Sequence, residues 1–169
     1  MLKVTVAPTS LRAVDNLEKA TRTLKERMRD RSEPLRKVKQ KQITRWARNF
    51  DSEGRIYGKW PALSPTWTIP DRLDAGHGAG PILVREGALR THFVNSNEAG
   101  QVNNQAIHWD HRNQPGAYIV SHHTGFPNPI PNRRPIPARP LWDLDPEDEE
   151  SARKIMEDWI DRIIGQYFK

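Results

Sequence analysis

The chain has no cysteine among its 169 residues. Disulfide bridges are excluded, and with them thiolate metal sites and cysteine nucleophiles. No apolar run approaches the length of a membrane span. The start, where Leu2, Val4 and Val6 alternate with Lys3 and Thr5, lacks a signal-peptide pattern, so a soluble intracellular protein is expected. The recurrent catalytic frames are missing too. There is no His-Glu-x-x-His, Ser121-His122 lacks the Gly-x-Ser-x-Gly elbow, and Gly76-His77-Gly78-Ala79-Gly80 has no Gly-Lys-Ser/Thr after it and reads as a hinge. Hydrophobic residues make up only 36% of the composition and the mean hydropathy is -0.82, so one core with long polar excursions is expected rather than two cores.

What is present is charge, proline and two helical ends. Residues 1–60 hold 16 Lys or Arg against 7 Asp or Glu, whereas residues 141–169 hold 4 against 9. This polarity fits a solvated basic face beside an acidic helix, a phosphate-binding face, or head-to-tail attraction between copies of the chain. Six of the fourteen prolines lie in the arm that leaves Gly125, at positions 127, 129, 131, 135, 137 and 140. Such an arm can be neither helix nor central strand and is expected to lie extended over a surface.

The predicted elements divide the chain as follows. Residues 1–54 form a short strand, Leu2 to Val6, and a basic helix pair. Leu11, Val14, Leu17, Thr21, Leu24 and Met28 mark the first helix; Leu35, Val38, Ile43, Trp46 and Phe50 mark the second, with Ser32 as its cap. Residues 55–80 form a long loop, pinned by Trp60, Trp67 and Ile69 over 55–70 and mobile over 71–80. Residues 81–124 carry short strands at 82–84, 89–94, 105–109 and 117–120, with a turn over 95–104. Residues 125–144 are the proline-rich arm. Residues 145–169 are a helix with Asp145 as N-cap, Pro146 at the first position, Asp148 closing a capping box, and a buried stripe of Ala152, Ile155, Met156, Trp159, Ile160, Ile163 and Tyr167. The expected class is α+β: an antiparallel meander packed by two N-terminal helices and a C-terminal helix, with long Pro/Gly-rich loops.

His108, His111, His122 and His123 invite a metal, but neighbours on strands point to opposite faces and no carboxylate ligands accompany them, so no metal or cofactor is assigned. No catalytic residue set emerges. A small hydrolase or nuclease finds no residues to carry it.

Four stretches, in order, resemble the phage virion morphogenesis, or tail completion, family. Gly58-Lys59-Trp60-Pro61-Ala62-Leu63-Ser64 with Thr66 is similar to its G-x-W-x-P-L-S…T segment. Ile82-Leu83-Val84 with Gly87-Ala88-Leu89-Arg90 is similar to its i-L-x-x-x-G-x-L-r. Tyr118-x3-His122-x2-Gly125 is similar to its Y-A-x-x-H-q-x-G, and Ile136-Pro137-Ala138-Arg139-Pro140-Leu141 to its i-P-a-R-p-f-L. The resemblance spans most of the chain and rests on the order of short motifs. It implies a non-enzymatic virion component at the head-proximal end of the tail, a homo-oligomeric ring (a hexamer on a sixfold tail tube) with the tail tube protein and head-tail connector proteins as neighbours and packaged DNA nearby. Ring contacts are then expected from the arm and from the 60–69 loop, through Trp60, Trp67, Tyr118, His122, Arg133, Arg134, Pro137, Arg139 and Trp142. The alternative is a DNA-binding module that uses Arg22, Lys25, Arg29, Arg36, Lys37 and Lys41 on the helix pair.

Overall fold

The second helix is the element on which the others pack. In a computed structural model describing residues 8–84, 87–95, 99–109, 118–126 and 135–167, the chain runs α1 (Pro8–Arg29), α2 (Ser32–Asp51), α3 (Thr68–Asp74), α4 (Ala88–Val94), β1 (Gly100–Val102), β2 (Ile107–Trp109), α5 (Tyr118–Thr124) and α6 (Pro146–Tyr167). Ile43, Trp46 and Phe50 recur at helical spacing on α2 and are buried, where they meet Trp60, Ile82, Leu89, Phe93, Ala99, Ile119 and Leu141. Trp46 meets Phe93 edge-on with ring centres 5.4 Å apart, and Trp109 at 4.6 Å. Aromatic contacts of this geometry add to simple area burial.

The architecture is α+β, but the meander is not formed. Among the described residues the only sheet is the antiparallel pair β1–β2, with Gln101 opposite His108. Residues 89–94 belong to a helix: Leu89, His92 and Phe93 are buried at i, i+3 and i+4. Leu89 and Phe93 are four apart, a spacing that satisfies both a strand and a helix, and the burial of His92 rather than Thr91 decides between them. The same holds at 118–124, where β-branched Ile119 and Val120 suggest a strand but Ile119, His122 and His123 turn inward at helical spacing. Residues 82–84 are not a strand either, and β1 lies inside the stretch expected to be a turn. The expected strand Leu2 to Val6 lies outside the described residues.

Helix ends follow local chemistry. At α6 the Asp148 N–H donates to Asp145 Oδ1 at 2.9 Å and the Asp145 N–H to Asp148 Oδ2 at 3.4 Å, a reciprocal cap. The predicted stripe on this helix faces inward, with Trp159 and Ile163 its most buried members. At α2 the capping side chain is two residues earlier than expected. Asp30 Oδ1 accepts from the Ser32 N–H at 3.0 Å, and the residue at the cap position, Arg31, makes no side-chain bond.

Arg45 joins α2 to the capped end of α6. Its guanidinium pairs with Asp145, with Glu147 at 2.8 Å and with Asp148 at 2.9 Å. Burial disfavours the Arg45 charge, but its hydrogen bonds to Glu147 and Asp145 outweigh that and raise its pKa. Burial raises the Asp148 pKa despite Arg45, whose charge is shared among three carboxylates. For Asp145, burial is outweighed by the Asp148 N–H and Arg45, and the net shift is downward. The Tyr57 hydroxyl completes the cluster, 2.8 Å from the Gln42 amide and 3.2 Å from Asp148 Oδ2.

The 55–80 segment is folded more tightly than expected. Gly54 turns the chain off α2 at φ +89, and a Cβ there would stand 2.2 Å from the Trp60 ring. Residues 71–80, expected to be mobile, include the end of α3 and are held by buried Arg72, which donates to the carbonyls of Gly78 (3.0 Å), Gly80 (3.0 Å) and Pro81 (3.4 Å). Gly54→Ala should therefore cost at least ~2 kcal/mol, since left-handed strain and displacement of a core ring add. Gly58→Ala, at φ +129 with open space around it, should cost less. Urea unfolding followed by tryptophan fluorescence compares the two.

Candidate functional site

The arm docks across the body through one chain of contacts. Gly125 takes φ +76, and a Cβ there would lie 2.8 Å from the Ala138 nitrogen, so glycine lets the two segments close on each other. Phe126 and Ile136 then exchange backbone bonds at 2.7 and 3.0 Å. Next, the Arg139 N–H donates to the His122 carbonyl at 2.7 Å. The Arg139 side chain, 5% exposed, turns inward and donates from Nε and Nη2 to the Pro61 carbonyl at 3.3 and 3.2 Å. Burial lowers its pKa.

The next residue accepts rather than donates. The Pro140 carbonyl receives Trp60 Nε1 at 2.9 Å and Asn49 Nδ2 at 3.2 Å. Asn49 Oδ1 takes the Ile56 N–H at 3.3 Å, so this fully buried side chain bonds the arm and the first turn of the loop together. Leu141 is fully buried, and its N–H donates to His123 Nδ1 at 3.1 Å. The His123 ring stacks on Trp142 at 4.0 Å, and Trp142 stacks on Phe93 at 5.3 Å.

Trp60, His122, Arg139 and Trp142, expected to face a neighbouring subunit, are thus brought together inside one subunit as a clasp. Trp60 and Arg139 are buried and unavailable to a neighbour. The physical reason is that each has a polar group that the proline-rich backbone needs. Trp67 is half-buried and Pro137 is exposed. Tyr118 opens α5, and Arg133 and Arg134 lie outside the described residues. Asn49, Arg72 and the Arg45 cluster were not anticipated. For Asn49 the available signal was a polar residue on the otherwise apolar face of Ile43, Trp46 and Phe50; Arg72 lies in a stretch without such a face. The six basic candidates Arg22, Lys25, Arg29, Arg36, Lys37 and Lys41 are all exposed on α1 and α2.

Beside the clasp a cleft of about 580 Å³ lies between α3, the start of α4, α5 and the arm, lined by Trp67, Asp71, Leu83, Leu89, His122, Ile136 and Arg139 among others. Leu83 adopts φ +60 on its wall, an uncommon conformation for a branched side chain. Among the described residues no three His, Cys, Asp or Glu side chains group as metal ligands; His111 is outside them. No helix among them is long and apolar enough to cross a membrane. The chain matches no protein-family model, no curated protein and no solved structure.

Two outcomes follow from the clasp. Arg139→Met should destabilise the fold by about 2 kcal/mol, because the Pro61 carbonyl loses both donors while the stem volume is kept; thermal unfolding measures it. Trp60→Phe, which loses one bond, should cost about 1 kcal/mol. The second outcome concerns pH. Burial lowers the His123 pKa from its ordinary 6.5, with Asp143 pulling the other way, and its Nδ1 must stay unprotonated to accept from Leu141. The contact's contribution is complete above the unfolded value and is lost as pH falls through the lowered folded value. Amide exchange at Leu141 should accelerate relative to its neighbours over that window, and His123→Gln should abolish the pH dependence.

Proposed function

We propose that the chain is a structural component of a bacteriophage virion that completes or terminates the tail at its head-proximal end and takes part in head-tail joining as a subunit of a homo-oligomeric ring. One observation carries this reading. The four motif stretches that resemble the tail completion family, with contacts between residues up to 80 apart in sequence, converge on a single unit: Trp60 and Pro61, Leu83 and Leu89, His122 and Gly125, and Pro137 to Leu141 all line the clasp or its cleft. Motif residues that share one spatial purpose support a common fold more strongly than the same motifs scattered over a surface.

The chemistry is that of contact. Donors in the clasp are saturated by backbone carbonyls, which rigidifies the arm and prepares a fixed surface, and preordered surfaces lose little entropy on docking. The tail tube protein and connector proteins are the neighbours this reading implies. Particles assembled without the protein should accumulate as separate heads and tails, or with tails of faulty length. Normal joined particles by electron microscopy would remove the proposal.

A second reading is favoured by the exposure of all six basic candidates on consecutive helices. As a DNA-binding module the isolated protein should bind duplex DNA with an affinity that falls steeply with salt. Absence of binding at low salt would eliminate it.

A further inference from the structure

Helix α1 is an anomaly in its own subunit. Its C-terminal end is fastened to the end of α6: Arg27 donates to Gln166 at 2.9 Å and lies over the Tyr167 ring, while Glu33, just beyond, pairs with Arg162. Rising numbers on one side meet falling numbers on the other, so going back from Arg27 toward Pro8 leads past the end of α6. Every residue from Arg12 to Lys19 is exposed. The apolar stripe continues regardless, with Val14 60% and Leu17 57% exposed and Met28 39% exposed near the fastened end. Leu24 is half-buried, but among the described residues nothing buries Val14 or Leu17 of the same stripe.

The same chain carries a complementary strip. The outer face of α6 presents Ile164, 40% exposed, and Ile160, half-buried at the edge of the inward stripe, borders it. Glu150, Glu157 and Asp161 share that face at helical spacing with two cations, Arg153, which is bound by Glu150 and Glu157, and Lys154, one turn on from Glu150, so the face is net acidic by one charge. On α1 the edge of the stripe carries Arg22, Lys25 and Arg29, with the acid Glu18 paired to Arg22. The α1 stripe from Val14 to Met28 extends over about four helical turns, whereas the acidic positions of α6 from Glu150 to Asp161 extend over about three and end in a single apolar turn at Ile164. One strip is apolar with a cationic edge and the other is net acidic with an apolar end.

We infer that the α1 stripe of one subunit packs on the outer α6 face of a second copy of this chain. Because the two strips are different surfaces, the contact is heterologous and propagates head to tail, closing into a ring when the rotation permits. The inference rests on the ring reading and gives it an interface made of α1 and α6, in place of the arm, whose anchoring groups are spent within the subunit. Opposite charges across the contact set its direction and its sensitivity to salt.

Charge exchange tests it. The wild-type protein should show a mass by light scattering that rises with concentration at low salt and falls with added salt. Lys25→Glu/Arg29→Glu on α1 and Glu157→Lys/Asp161→Lys on α6 should each be monomeric with unchanged helical circular dichroism. Their equimolar mixture should regain the assembled mass, since each altered strip then meets its complement. Assembly that persists in both variants overturns this interface while leaving a ring intact. Loss in the α1 variant alone, without rescue, overturns it in favour of α1 pairing with itself. A wild-type chain that stays monomeric at every concentration overturns the interface and the self-assembling ring together. A monomer whose affinity for duplex DNA falls in the α1 variant assigns the helix to nucleic acid instead.

Discussion

Proline-rich backbone has more acceptors than donors, and the fold depends on making good that deficit. Each Pro contributes a carbonyl and no N–H. In this protein the carbonyls of Pro61, Pro81, Pro137 and Pro140 lie in irregular segments packed against the body, and each is met by a side chain: Arg139, Arg72, Trp60 or Asn49. Pro61, Pro81 and Pro137 are themselves exposed and Pro140 half-buried, whereas the donors Arg139, Arg72, Trp60 and Asn49 are buried, and each brings its polar group out to one of these carbonyls. That explains two buried arginines in a protein with a modest apolar fraction. It also explains why residues that look like a recognition surface in the sequence are found within the subunit.

The degree to which the fold was readable follows the same division. Helices α2 and α6 announce themselves, because their stripes extend over about four turns and the acidic cap of α6 is a local signal. The short elements did not. In seven-residue segments such as 88–94 and 118–124, apolar residues four apart fit both periods, and the deciding inward positions are histidines, which composition treats as polar. For the site, Trp60, His122, Arg139 and Trp142 stood among nine candidates for ring contact; within the subunit Trp60 and Arg139 are buried and His122 and Trp142 half-buried. A sequence shows that an arginine sits among prolines; whether it points to a neighbour or to its own backbone depends on which carbonyls are buried nearby, a tertiary fact.

Two mechanical regimes coexist in the molecule. The body, from α2 through the clasp, is cross-bonded by side chains that each touch two segments, so disturbing one shifts several. Helix α1 has the opposite character, being regular in itself and secured mainly near its C-terminal end. Local stability should therefore differ sharply along the chain, lowest in the projecting turns of α1 and highest around Phe50 and Phe93. A subunit of this kind can present a fixed face and a searching one at once.

Arg72 has a consequence for what the chain can tolerate. By spanning the carbonyls of Gly78, Gly80 and Pro81 it cinches the neck of the loop that leaves α3. The tip between them, from Leu73 to His77, is largely solvent-facing. A loop closed at its base is insulated from its own apex, so length and sequence there can vary without reaching the cleft. The tip is accordingly the natural place for lineages to differ, and for a reporter peptide to be spliced in without disturbing the clasp beneath it.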